Sequence, residues 1–208
     1  GGWKLGTPLQ FYRECAYYAS KGMVAVSVDY RIEYLHHSTP FDSFEDAKDA
    51  ICWLRSHASD YQLDPDKIAV AGGSAGGHLA AALGTIGSDE AVNYRPNLSV
   101  LYYPVVDMVS RGYGFPEIKR DFEKISPIHH VSEATPSTLI LLGTKDPIVS
   151  VETIRSYQDK LLQKGVDCEL HLFEGAGHPI FLYRKPLTED YYKVRKLTDD
   201  FLKREGFL

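Results

Sequence analysis

Short apolar runs alternate with helix-patterned stretches along almost the whole chain. Met23-Val24-Ala25-Val26-Ser27-Val28-Asp29-Tyr30 sets a valine at every second position and predicts a strand. Residues 67–71, 98–105, 137–142 and 167–173 predict four more. Residues 11–21 place Tyr12, Cys15, Ala16 and Ala19 on one helical face and stop at Gly22, a residue suited to a helix end. Helices are also expected at about 43–59, over the small-residue stretch 77–83, at 151–164 closed by Gly165, and at 191–203. Strands and helices in alternation are the signature of an α/β fold with a mostly parallel sheet.

Residues 106–135 break this pattern. Gly112, Gly114, Pro116 and Pro127 punctuate them, so an irregular, cap-like segment with little regular structure is expected there. No repeat, low-complexity tract or linker interrupts the rest, and residues 1–208 are expected to form a single domain.

Composition narrows the function classes. A net charge of -5 offers no basic face for nucleic acid, and no run approaches the roughly 18 apolar residues of a membrane span. Cys15, Cys52 and Cys168 are an odd set without metal-ligand spacing and read as small hydrophobes rather than a disulfide framework. The pairs His36-His37 and His129-His130 are adjacent in sequence, and neighbouring side chains rarely converge on one ion, so neither a metal nor another cofactor is expected. The start at Gly1, without Met, reads as a processed or truncated one. Oligomeric state is not legible in the sequence.

The candidate chemistry begins at Gly72-Gly73-Ser74-Ala75-Gly76-Gly77-His78, where a serine sits in a glycine-rich turn between a predicted strand and a predicted helix. A serine hydroxyl becomes a useful nucleophile only when held exposed beside a base, with N–H groups aimed at the developing oxyanion. Glycines 72 and 76 are expected to remove Cβ atoms that would clash in such a turn. After the strand at 137–142 comes Gly143-Thr144-Lys145-Asp146-Pro147, and after that at 167–173 comes Glu174-Gly175-Ala176-Gly177-His178. Taken singly, Ser74 is a tight-turn residue, Asp146 a turn former and His178 a loop histidine. Taken together, each follows a different strand, in the order Ser, Asp, His. Ser74 would attack a carbonyl, His178 would shuttle the proton, and Asp146 would fix the tautomer of His178. The Ala75 N–H is the expected first oxyanion donor. Gly1-Gly2-Trp3 is either the source of the second or a disordered terminus.

These stretches, with Val28-Asp29-Tyr30-Arg31, Asp64-Pro65-Asp66-Lys67-Ile68 and Tyr103-Pro104-Val105, resemble the α/β-hydrolase superfamily. Within it the chain is similar to esterases related to hormone-sensitive lipase and to bacterial acetyl and feruloyl esterases. The resemblance implies a three-layer α/β sandwich with a mostly parallel sheet. It also implies a catalytic Ser74, Asp146 and His178 and an oxyanion hole from Gly1, Gly2 and Ala75. Gly1 and Gly2 match the last two glycines of the family's His-Gly-Gly-Gly-Trp, which further strands precede. The chain is therefore expected to be a fragment or cleaved form with N-terminal strands missing, and a gap in the sheet between residues 23–30 and 67–71.

Gly73 stands where hormone-sensitive-lipase-like enzymes usually carry Asp, and Ser126-Pro127-Ile128-His129-His130-Val131 looks like the carbohydrate-ester branch. That likeness implies a serine carboxylesterase for short acyl groups, acetyl on a plant polysaccharide such as xylan being the leading substrate, with an extracytoplasmic location in that case. Trp3 and Tyr103, with Tyr30, Tyr113 and Phe115, are expected near the mouth as substrate-stacking aromatics. A lipolytic short-chain esterase, an arylformamidase, a peptidase and an inactive binding module of the same fold are the alternatives.

Overall fold

Four of the five apolar runs become parallel strands: β1 (Ala69–Gly73), β2 (Leu98–Tyr102), β3 (Thr138–Gly143) and β4 (Cys168–Phe173), in the spatial order β1-β2-β3-β4. The computed structural model describes residues 1–87, 94–108, 121–183 and 187–208. Gly72 pairs with Leu101, Leu101 with Ile140, and Ile140 with Leu170. Every residue of β2 and β3 is buried, which is why these strands read as continuous apolar runs rather than alternating ones.

Parallel neighbours need crossovers, and helices supply them. Among the described residues the α-helices, in chain order, are α1 (Tyr12–Ala19), α2 (Glu33–His36), α3 (Pro40–Ser56), α4 (Ala75–Thr85), α5 (Phe122–Ile125), α6 (Val151–Gln163) and α7 (Glu189–Arg204). α4 packs on β1 and β2, α3 on α4, α6 on β4 and α7 on β3. α3 begins three residues before its predicted start because Thr39 and Asp42 form a capping box ahead of Pro40. The Thr39 N–H donates to Asp42 Oδ2 at 2.7 Å, and this bond with that of the Thr39 hydroxyl holds the Asp42 carboxyl below its usual range. Ser150 and Thr188 cap α6 and α7 by accepting from Thr153 N–H and Tyr191 N–H.

Because all four strands run the same way, the loops that follow β1, β3 and β4 leave from one edge of the sheet. That edge is where open α/β folds bind ligands.

The strand expected at residues 23–30 does not form. Among the described residues, nothing pairs with β1 on the side away from β2. A cleft of about 380 Å³ separates the two instead, lined by Val24, Val26 and Val28 on one wall and Val70, Gly72 and Ser74 on the other. Alternation of valines specifies which side chains share a face, whereas a strand also requires a neighbour for its N–H and C=O groups. Ser27 Oγ bonds Pro8 O at 2.6 Å, and the three valines remain 37–51% exposed. Of the irregular segment expected at 106–135, the described parts hold α5 and a 3₁₀ turn at Pro127–His129. Residues 109–120, which include Tyr113 and Phe115, lie outside the described residues.

Candidate active site

Ser74 occupies the turn from β1 into α4 with φ +56° and ψ -119°, outside the usual regions for an L-residue. Such a conformation costs of order 1–3 kcal/mol and persists because its surroundings enforce it. Ser74 N–H bonds Tyr102 O at 3.0 Å, and His78 N–H bonds Ser74 O at 2.9 Å. A Cβ on Gly72 would lie 2.2 Å from Gly76 O, so the turn closes only with glycine there. Gly76 itself faces open space, which corrects the expectation that it too relieves a clash.

His178 Nε2 lies 2.8 Å from Ser74 Oγ, and His178 Nδ1 lies 2.7 Å from Asp146 Oδ2. The carboxylate can only accept, so Nδ1 carries the proton and Nε2 faces the serine as the acceptor. Asp146 Oδ1 accepts from the N–H groups of Ile148 at 2.8 Å and Val149 at 2.9 Å. Burial pushes the Asp146 carboxyl up, but the hydrogen bonds from His178, Val149 and Ile148 outweigh it and hold the group below its ordinary value. The Asp146 side chain is wholly buried, while that of His178 keeps 13% exposure. Three residues far apart in sequence therefore meet in one hydrogen-bonded chain.

The loops that bring Asp146 and His178 together are laced backbone to backbone. Thr144 N–H bonds Phe173 O and Lys145 N–H bonds Ala176 O, both at 2.9 Å. Gly143 permits this approach, since a Cβ there would sit 2.3 Å from Ala176 O and 2.4 Å from Gly177 O.

Of the expected oxyanion donors, Ala75 directly follows Ser74 in the chain and Gly1 shares a cleft with it. Ala75 is the first residue of α4, where backbone N–H groups have no partner within the helix and the dipole favours negative charge. Gly1 lines the cleft that also holds Ser74, and Gly2 is buried at φ +66°. Glu33 N–H bonds Trp3 O at 2.9 Å and ties this turn to the start of α2.

Trp3 and Tyr103, expected to meet substrate, are instead each only 2% exposed, and their contacts are to protein. Trp3 Nε1 donates to His78 Nδ1 at 3.3 Å. The Tyr103 ring stands edge-on to His178 at 4.8 Å, and its hydroxyl reaches Phe181 O at 3.4 Å. Tyr30 is half-buried. Sequence reasoning passed over His78, which lies fully buried in α4. The signal was present as the one titratable residue in a run of Ala, Gly and Leu, four positions after Ser74. Among the described residues, no group of three or more His, Cys, Asp or Glu is placed to hold a metal ion. Burial pushes the Cys168 thiol up to about 12, the behaviour of a small core side chain.

A parallel sheet, a serine at a strand-to-helix turn and a histidine and aspartate on later loops define an α/β-hydrolase fold. The BD-FAE family model matches residues 1–109, and the chain belongs to that family. It is similar to an esterase from the planctomycete Thermogutta terrifontis, solved with propionate bound and also phosphorylated by paraoxon. The propionate-bound structure has 37% identity and a TM-score of 0.93, over 100% of this chain and 81% of that one. Among curated relatives, the probable carboxylic ester hydrolase LipM of Mycobacterium tuberculosis is 29% identical over 78% of this chain and 43% of its own length. The acetylxylan esterase of Xylanibacter ruminicola is 25% identical over 86% of this chain and 40% of its own. The chain thus spans half or less of the length of these curated relatives.

Proposed function

We propose that the protein is a serine carboxylesterase that cleaves short acyl esters through an acyl-enzyme at Ser74. The observation that carries this reading is the unbroken chain Ser74 Oγ, His178 Nε2, His178 Nδ1, Asp146 Oδ2, with links of 2.8 and 2.7 Å. Ser74 Oγ bonds to the ester carbonyl carbon as its proton passes to His178 Nε2, and Asp146 stabilises the imidazolium. The oxyanion rests on the N–H of Ala75 and those of the Gly1-Gly2 turn. Collapse expels the alcohol, which takes the proton from His178. Water then attacks the acyl-enzyme with His178 as base, releasing the acid and restoring Ser74.

Acetyl is the acyl group and an acetylated polysaccharide such as xylan the substrate class. The likeness to the acetylxylan esterase supports the saccharide, and the propionate bound to the planctomycete esterase supports a short acyl chain. The expected outcome with a series of p-nitrophenyl esters is a kcat/KM that is highest for acetyl or propionyl and collapses for octanoyl, with acetate released from acetylated xylan. Equal rates on octanoyl esters would overturn the short-acyl assignment, and no release from xylan would overturn the saccharide.

A further inference from the structure

His78 is a fully buried imidazole that the proton shuttle does not use, yet both of its nitrogens are committed. Nδ1 accepts from Trp3 Nε1 at 3.3 Å, so it is unprotonated, and Nε2–H therefore donates to Ile125 O at 2.7 Å. The indole and imidazole rings meet edge to face, with centroids 5.1 Å apart and planes at 85°. The ring thus joins three segments: the Gly1-Gly2-Trp3 turn, the first turn of α4 that carries Ser74, and the end of α5.

The Gly1-Gly2-Trp3 turn needs such a tie. Gly2 and Trp3 both have positive φ, +66° and +58°, and for tryptophan that conformation is strained. Among the described residues, no strand joins this turn to the sheet.

We propose that His78 is a positioning residue that, by accepting from the Trp3 indole, sets the distance between the Gly1-Gly2 oxyanion donors and Ser74. This rests on the esterase reading above. A donor displaced by about 1 Å loses most of its effect on the transition state while leaving ground-state binding little changed.

Two isosteres separate the two bonds. In His78→Asn the amide oxygen takes the place of Nδ1 and keeps the Trp3 bond. In His78→Gln the amide N–H takes the place of Nε2 and keeps only the Ile125 bond. Trp3→Phe removes the same link from the other side and leaves His78 in place. With p-nitrophenyl acetate and the intact protein, His78→Gln and Trp3→Phe are each expected to lower kcat by about tenfold to a hundredfold with KM little changed. His78→Asn restores kcat to within about threefold of wild type, and the double variant Trp3→Phe/His78→Gln is no worse than either single one. In a Trp53→Phe background, where Trp3 is the sole tryptophan, its emission shifts in His78→Gln but not in His78→Asn.

An active wild type whose His78→Gln and Trp3→Phe variants keep kcat overturns the proposal alone. So does a loss of kcat that is equal in Asn and Gln and follows the melting temperature. A wild type that neither turns over ester nor labels at Ser74 overturns the esterase reading and the role of His78 within it.

Discussion

β3 and residues 23–30 are both short and apolar, and they end in opposite situations. Leu139, Ile140, Leu141 and Leu142 have no exposure, with pairing partners on both sides, whereas Val24, Val26 and Val28 border an open cleft. The rest of the N-terminal region lies outside the sheet and is held by side-chain contacts together with the backbone bonds from Glu33 and Tyr34 N–H to Trp3 and Lys4 O. Tyr17 OH meets Asp199 Oδ2 and Tyr191 OH meets Glu14 Oε1, each at 2.5 Å, and Trp3 meets His78. The site is divided along the same line. Its proposed proton-transfer chain hangs from ladder-built strands, while one side of its proposed oxyanion hole hangs from a turn fixed by a few polar contacts.

The ladder-borne half carries the largest expected effects. Ser74→Ala is expected to lower kcat by about 10⁶-fold with the fold intact, read by ester turnover and circular dichroism. Asp146→Asn should lose about 10⁴-fold, because an amide in place of the carboxylate holds the wrong tautomer of His178. If either variant kept its rate, the chain of bonds at 2.7 and 2.8 Å would not be the catalytic one.

Stability sharpens the contrast. Leu141→Ala should cost about 2–5 kcal/mol in urea unfolding, since β3 is close-packed on all sides. Between the halves stands His78, whose imidazole is pushed down to about 4 by burial, partly offset by the bond to Ile125 O. The unfolded chain binds a proton there below about 6.5 and the folded chain only below about 4. Stability from this group is therefore complete above pH 6.5 and lost as pH falls toward 4, by about 3 kcal/mol. His78→Asn should flatten that slope in urea midpoints measured from pH 7 to pH 4. At the exposed end, Val26→Ala should cost less than about 0.5 kcal/mol. A cost above about 1 kcal/mol would mean that another segment covers the valines in the intact protein.

The same division decided what could be read from the sequence. β1 to β4 were legible because each is a short apolar or alternating run, continuous where the strand is buried on both faces as in β2 and β3, and the proposed Ser74, Asp146 and His178 could be picked out because each lies on the loop that follows such a run. The 23–30 segment was misread as a strand because period-two alternation reports side-chain direction and is silent on whether a partner lies alongside. Gly76 was taken for a steric necessity, but it is Gly72 and Gly77, not Gly76, whose Cβ atoms would meet backbone across the turn. Trp3 and Tyr103 were assigned to the mouth on their aromatic character. Their burial beside His78 and His178 depends on tertiary contacts that no local pattern encodes. His78 did carry a local signal, a lone titratable residue in a run of Ala, Gly and Leu, but its partners Trp3 and Ile125 are set by tertiary contacts.

Covalent labelling reports on whether Ser74 is the nucleophile. A fluorophosphonate probe incubated with the intact, folded protein is expected to leave one adduct, located by mass spectrometry on the peptide containing Ser74 and absent in Ser74→Ala. A folded protein that takes up no probe, or takes it up at another residue, would rule out Ser74 as the nucleophile.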